Sequence, residues 1–256
     1  MNIRILGAHN CESQATRCVC ILIDDKLAID AGGLTSSLSI SDQRKLKTIL
    51  LTHQHYDHIR DVPMIALSLY QHGDSIKVYS TPDVCDTIET HLLNGKIYPR
   101  FQQIPEAKPT VNFHSVVPYE SQRIDGYGVL AIPVNHDGTT VGYQVSDVEG
   151  KAVFYTADSG PGLIDCWKYL SPQLLVIDVT VPNRYREFAA TAGHLTPGLL
   201  QDELIKFRQV KGYLPRIIAV HMDPALEKEI GEEIQVVSEA INTPITVAHE
   251  DMQLHI

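Results

Sequence analysis

The sequence has no long apolar run, few cysteines and a shortage of basic residues. No stretch approaches the roughly 18 consecutive apolar residues that a bilayer-spanning helix needs, so we expect no membrane segment. The cysteines number five, and an odd count argues against a disulfide framework. The opening residues MNIRILGAHN contain no apolar signal region. We therefore expect a reduced, cytoplasmic protein.

Basic residues are outnumbered, since 21 Lys and Arg stand against 31 Asp and Glu and give a formal net charge of -10 at pH 7. A surface of this sign repels phosphate backbones, which disfavours long nucleic acids as partners. A small anionic substrate stays compatible, because bound metal ions can invert the local field inside a pocket.

The chain carries no Ser/Gly-rich linker and no low-complexity tract, and 44% of its 256 residues are hydrophobic. This composition suits an ordinary globular protein with a sizeable core. We expect a single domain over residues 1–256. The sequence leaves open whether the protein is a monomer or a homodimer.

Runs typical of β-strands alternate with helical segments along the whole chain. The strand pattern covers residues 2–7, 18–25, 26–32, 48–53, 77–81, 112–118, 128–136, 140–146, 151–158, 173–181 and 217–221. The helical pattern covers residues 39–47, 61–73, 82–95, 196–212 and 225–241. Residues 245–256 predict a closing pair of strands. Two groups of strands with interspersed helices favour a layered α/β sandwich.

Side chains that bind metal ions recur at the C-terminal ends of the predicted strands. These residues are Asp30, His53, His136, Asp158 and His221. Strand ends meet along one rim of a sheet, where open α/β proteins place their sites. Rigid strands would also hold the ligands in a fixed geometry.

The run His53-Gln-His55-Tyr-Asp57-His58 is the strongest local signal, with four possible ligands in six positions. On a turn between a strand and a helix, alternate residues can face two different metal ions. Imidazole and carboxylate groups suit Zn, and also Fe, Mn or Co. The alternative, a solvated loop that is rich in His by chance, explains this density poorly.

This run and the later motifs resemble the metallo-β-lactamase superfamily over nearly the whole chain. The resemblance implies a four-layer αββα sandwich with two divalent metal ions, Zn first and Mn or Fe as alternatives. It implies that one ion is bound by His53, His55 and His136, that the other is bound by Asp57, His58 and His221, and that Asp158 bridges both. Asp30, within Ile-Asp-Ala-Gly-Gly, would orient the ligands from behind.

Two further segments resemble one branch of this superfamily. The motif Gly193-His194-Leu195-Thr196-Pro197 is similar to the His-Ser/Thr motif of tRNA 3′-processing endonucleases and phosphodiesterases, in which the His faces the scissile phosphate and binds no metal. Residues 91–101, HLLNGKIYPRF, resemble a stretch of class II cyclic-nucleotide phosphodiesterases. The chain has no long Gly/Pro-rich insertion like the tRNA-gripping arm, which favours a small substrate.

The resemblance implies a hydrolase in which a hydroxide shared by two metal ions attacks a small phosphodiester. The catalytic set would be Asp30, Asp57 and His194, with His194 stabilising or protonating the leaving oxygen. A lactone or thioester hydrolase with the same site is the alternative, followed by an iron-dependent oxidoreductase and a non-enzymatic metal-binding scaffold. The sequence leaves four roles near the site undecided, those of His9, His249, Asn183 and Arg184.

Overall fold

A computed structural model describes residues 1–256 and contains two seven-stranded sheets that pack face to face. The first sheet has the strand order β14-β1-β2-β3-β4-β5-β6. Its strands are β1 (Asn2–Gly7), β2 (Cys20–Ile23), β3 (Leu27–Ile29), β4 (Thr48–Leu50), β5 (Ile76–Ser80), β6 (Val111–Ser115) and β14 (Met252–His255).

The second sheet has the strand order β13-β12-β11-β10-β9-β8-β7. Its strands are β7 (Ser121–Ile124), β8 (Tyr127–Pro133), β9 (Val141–Ser146), β10 (Ala152–Tyr155), β11 (Leu174–Asp178), β12 (Arg216–Val220) and β13 (Ile245–Val247). Strands β10 to β13 run parallel, and so do β3 to β6 in the first sheet. Each sheet therefore offers one rim made of the carboxyl ends of parallel strands.

Helices cover the outer face of each sheet. The helices are α1 (Leu34–Ser37), α2 (Ile40–Gln43), α3 (Tyr56–Ile59), α4 (Val62–Gln71), α5 (Pro82–His91), α6 (Ile164–Tyr169), α7 (Arg186–Ala192), α8 (Pro197–Lys211) and α9 (Glu227–Ala240). One apolar cluster fills the space between the sheets, and two others join each sheet to its own helices. The four-layer αββα sandwich is thus confirmed. None of the helices combines the length and the apolar character needed to cross a bilayer.

The alternation of side chains in the strands explains this layering. In β1, Ile3 and Ile5 face the cluster between the sheets, whereas Leu6 faces the helix side. In β11, Leu174 and Val176 lie between the sheets, and Leu175 and Ile177 pack beneath the helices. Successive side chains of a strand point to opposite faces, so strands that are apolar at every position are buried on both sides.

The sequence prediction fails for the closing strand pair. β13 joins β12 in the second sheet, whereas β14 pairs antiparallel with β1 in the first sheet. The chain therefore crosses between the sheets at residues 248–251 and does not form a hairpin. The prediction also misses β7, α6 and α7, which are short and have weak patterns, and which tertiary packing stabilises.

Candidate metal centre

The structure brings all seven sequence-predicted ligands together where the rims of the two sheets meet. β4 leads into the turn that carries His53 and His55, and α3 then presents Asp57 and His58. The second sheet contributes the remaining three from the ends of its strands. His136 follows β8, Asp158 follows β10, and His221 follows β12.

The first cluster consists of His53, His55, His136 and Asp158. The Nε2 atoms of His53 and His136 each lie 3.8 Å from Asp158 Oδ2. His55 Nδ1 lies 3.2 Å from His136 Nε2. Three imidazole nitrogens and a carboxylate oxygen therefore converge on one point.

The second cluster consists of Asp57, His58, Asp158 and His221. His58 Nε2 lies 3.3 Å from Asp158 Oδ1 and 3.4 Å from Asp57 Oδ2. His221 Nε2 lies 3.3 Å from Asp158 Oδ2 and 3.5 Å from Asp57 Oδ2. Asp158 belongs to both clusters, so its carboxylate lies in the position of a bridging ligand.

Buried atoms without partners show that the site fits metal ions. The Nε2 atoms of His53, His58 and His221 and Oδ1 of Asp158 are buried and form no hydrogen bond. Buried polar atoms are normally paired, so four unpaired atoms within these two adjoining clusters indicate that each cluster binds a partner of its own. Imidazole and carboxylate donors are the set that Zn and related divalent ions take. The His/Asp clusters are therefore able to bind metal ions.

The charge of the site also favours cations. Burial lowers the pKa of His58, but Asp158 and Asp30 outweigh it and hold the pKa well above its usual value. Burial and Asp158 oppose each other in the same way at His221, whose pKa is raised to about 10. Burial raises the pKa of Asp57, yet the nearby imidazoles of His221 and His58 leave the net pKa lowered. The carboxylates therefore create a strong demand for positive charge.

Asp30 fixes the orientation of His58 from behind, in the position that the sequence predicts. Its Oδ2 lies 2.7 Å from His58 Nδ1 and also accepts a hydrogen bond from Thr52 Oγ1 at 2.9 Å. Its Oδ1 accepts from the Thr52 backbone N–H. Because the carboxylate holds the proton at Nδ1, Nε2 of His58 keeps its lone pair for a metal ion.

We expect Asp30→Asn to weaken the second cluster selectively. The amide cannot accept the His58 proton in the same way, and loss of such a partner costs roughly 10–100-fold in metal affinity. Chelator competition should show one metal ion lost early and the other retained. Asp61→Asn is a matched control, since Asp61 is also buried and accepts the Thr35 backbone N–H but contacts neither cluster. Equal metal loss in both variants would contradict the assignment.

Asp178 is a site residue that the sequence analysis misses. It ends β11 and is fully buried, and its Oδ2 lies 2.8 Å from His194 Nδ1. Its Oδ1 accepts a hydrogen bond from Thr180 Oγ1, which lies 2.9 Å from His221 Nδ1. The group Asp178, His194 and His221 could itself hold a cation by distance. Hydrogen bonds already satisfy these atoms, so we interpret the group as an orienting network.

His194 lies beside both clusters without belonging to either of them. Its ring stacks on His221 at 5.3 Å and lies 4.9 Å from the His136 ring. Gly193 precedes it at φ +75, and a Cβ there would come within 2.8 Å of His136 Nδ1. Only glycine allows this approach. Thr196 then caps α8 by accepting from the Leu199 N–H, which fixes the segment after His194.

The four residues with undecided roles lie outside the two clusters. His9 is buried, and its Nδ1 lies 2.7 Å from Glu250 Oε1. His249 is exposed and its Nδ1 lies near the Glu250 carbonyl. Arg184 forms a bidentate ion pair with Glu229. The Asn183 side-chain oxygen accepts a hydrogen bond from the Gly198 backbone N–H. No cysteine lies in any of the ligand groups.

The fold and the site define a metallo-β-lactamase-fold hydrolase with His/Asp clusters able to bind metal ions. A family profile described as "Beta-lactamase superfamily domain" matches residues 28–222, and the chain belongs to that superfamily. The resemblance inferred from the sequence motifs is confirmed. No curated protein matches the chain by sequence.

Solved structures share the fold at low sequence identity. Unliganded yeast PDE1 superimposes with a TM-score of 0.84 at 15% identity, covering 100% of this chain and 99% of that chain. The short form of human tRNase Z gives 0.71 at 16% identity, covering 100% and 99%. A diphosphatase from the PhnP family gives 0.65 at 17% identity, covering 100% and 97%. At these identities the likeness shows the fold.

Proposed function

We propose that the protein is a metal-dependent phosphodiesterase that hydrolyses a small phosphodiester with two divalent metal ions, zinc being the first choice. His53, His55 and His136 would hold one ion, Asp57, His58 and His221 would hold the other, and Asp158 would bridge them. Bound divalent ions supply Lewis acidity and lower the pKa of water from about 15.7 towards about 7.

The observation that carries the proposal is the placement of His194. It lies against His136 and His221, yet its Nδ1 is engaged by Asp178 and its Nε2 makes no hydrogen bond within the chain. Asp178 holds a proton at Nδ1, so Nε2 is the atom that can deliver a second proton. A phosphodiester releases an alkoxide that needs this proton, and His194 would supply it.

Charge supports a small substrate over a polymeric one. The chain carries a net charge of -10, and three of its Arg side chains already pair with carboxylates. Arg60 pairs with Glu12, Arg17 with Asp251 and Arg184 with Glu229. A long polyanion would need many free Lys and Arg contacts along its backbone. The anionic group of the substrate would therefore be bound mainly by the metal ions.

A kinetic panel on the metal-loaded protein tests this function. The substrates are bis(p-nitrophenyl) phosphate, 2′,3′- and 3′,5′-cyclic nucleotides, a precursor tRNA, an acyl-homoserine lactone and a glutathione thioester. We expect kcat/KM to be highest for a small phosphodiester. A lactone or thioester that exceeds every phosphodiester by about tenfold, a difference of 1.4 kcal/mol, would refute the proposal. Efficient tRNA cleavage would refute its restriction to small substrates.

A further inference from the structure

Glu203 is a carboxylate that lies among the apolar side chains of helix α8. It is fully buried, and Leu200, Leu204 and Phe207 of the same helix belong to the cluster that joins the second sheet to its helices. A buried carboxylate lowers stability unless other groups pair with it and donate hydrogen bonds to it. An apolar residue would suit these surroundings better, so the partners of Glu203 indicate what its side chain does.

The carboxylate holds two backbone N–H groups that lie outside any helix or strand. Gly162 donates to Oε1 at 3.0 Å, and Leu163 donates to Oε2 at 3.1 Å. Lys206, one turn further along α8, lies with its Nζ 2.7 Å from Oε1 and balances the charge. Each oxygen therefore takes one N–H, and Glu203 ties residues 159–163, which we call the anchored segment, to helix α8.

The anchored segment connects the metal centre to the part of the chain that carries His194. It begins directly after Asp158, the residue shared by both clusters. The Gly160 N–H donates to the Asn135 carbonyl at 2.7 Å. A Cβ on Gly160 would lie 3.0 Å from the Cα of Gly193, so the two backbones touch there with no room for a side chain. A shift of the anchored segment would therefore move the residue next to His194.

We propose that Glu203 is a positioning residue that fixes the distance between the Asp158 carboxylate and the His194 ring. Helix α8 begins three residues after His194, so Glu203 joins the chain that follows the proton donor to the chain that follows the shared carboxylate. Glu203 belongs to neither cluster and acts through these contacts alone. The inference rests on the proposed function, in which His194 Nε2 gives its proton to the leaving alkoxide. Misplacing such a group by about 1 Å can cost roughly 10²-fold in rate.

The test changes the carboxylate to an amide and compares leaving groups. Glu203→Gln replaces one oxygen by an NH₂ group, which opposes a backbone N–H of the anchored segment. Asp202→Asn is the matched control, since it makes the same change on the preceding residue of α8, where the exposed carboxylate pairs with Arg186. Both changes are made in the wild type and in His194→Ala. The substrates are bis(p-nitrophenyl) phosphate, whose leaving group needs no proton, and 2′,3′- and 3′,5′-cyclic nucleotides, whose leaving alkoxide needs one.

We expect Glu203→Gln to keep the metal content of the wild type and to lose about 10- to 100-fold in kcat on the cyclic nucleotide that the wild type cleaves best. The loss on bis(p-nitrophenyl) phosphate should be much smaller, because p-nitrophenolate leaves without a proton. In the His194→Ala background Glu203→Gln should cause no further loss, since that variant has no proton donor left to position. Asp202→Asn should change none of these quantities.

Several results would overturn the inference. They are an unchanged kcat in Glu203→Gln, an equal loss on both kinds of substrate, an additive loss in His194→Ala, and the loss of a metal ion. If Glu203→Gln does not fold, Glu203→Asp is measured in the same way, since it keeps the charge but withdraws the carboxylate from the two N–H groups by one methylene. A wild type that cleaves bis(p-nitrophenyl) phosphate but neither cyclic nucleotide overturns this inference alone. A wild type that cleaves no phosphodiester overturns the proposed function, and the inference falls with it.

Discussion

Asp158→Ala should reduce kcat by more than about 10⁴-fold, the scale of losing a central catalytic group. The carboxylate lies within 3.8 Å of the Nε2 atoms of His53 and His136, and within 3.3 Å of those of His58 and His221. Its removal takes a ligand from both clusters at once. Metal analysis should find about two ions per chain in the wild type and less than one in the variant.

Two further variants separate the loss of the Asp158 carboxylate from a general loss of folding. Asp158→Asn preserves the shape of the buried side chain and removes its charge, so it should also lose turnover while the fold persists. Asp165→Ala removes an exposed carboxylate that pairs with Lys168, and it should retain both metal ions and full activity. Normal activity with two metal ions in Asp158→Ala would show that Asp158 does not bridge the clusters.

The residues of the two clusters could be predicted from the sequence because local pattern and position coincide. His53, His136 and His221 each follow a short run that contains β-branched residues, and strands of one sheet that run in the same direction end at the same rim. The distances within the clusters, and the exact pairing of the two rims, needed the structure. The positions of the cluster residues could thus be predicted from local strand patterns. The contacts between residues far apart in the sequence could be seen only in the folded structure.

Asp178 was missed because it lies within the mostly apolar run 174–181, where it is read as part of a strand interior. A signal was available, since Asp178 ends its strand as Asp30 and Asp158 follow theirs. The closing strands were misplaced for a related reason. Pairing of β14 with β1 joins residues some 250 positions apart, and no local pattern encodes such a contact.

His194→Ala should keep both metal ions and lose roughly 10²–10³ in kcat, the cost of removing one donor that stabilises the transition state. The ring contributes no atom to either of the two clusters that share Asp158, and its Nδ1 is bound to Asp178. KM should change little, because under the proposed function the metal ions, and not His194, would bind the substrate phosphate. Steady-state kinetics and metal analysis on the same preparation measure the three quantities.

Two experiments distinguish proton delivery by His194 from a structural role of this residue. One compares substrates with different leaving groups, and the other uses the variant His194→Asn. p-Nitrophenolate leaves without needing a proton, so the defect of His194→Ala should be much smaller on bis(p-nitrophenyl) phosphate than on a diester with an alkyl alcohol. The amide of His194→Asn can donate a hydrogen bond but cannot transfer a proton, and it should show the same dependence on the leaving group. A drop in metal content would instead identify His194 as a ligand. An equal defect on both substrates would mean that His194 stabilises charge on the phosphoryl oxygens and delivers no proton.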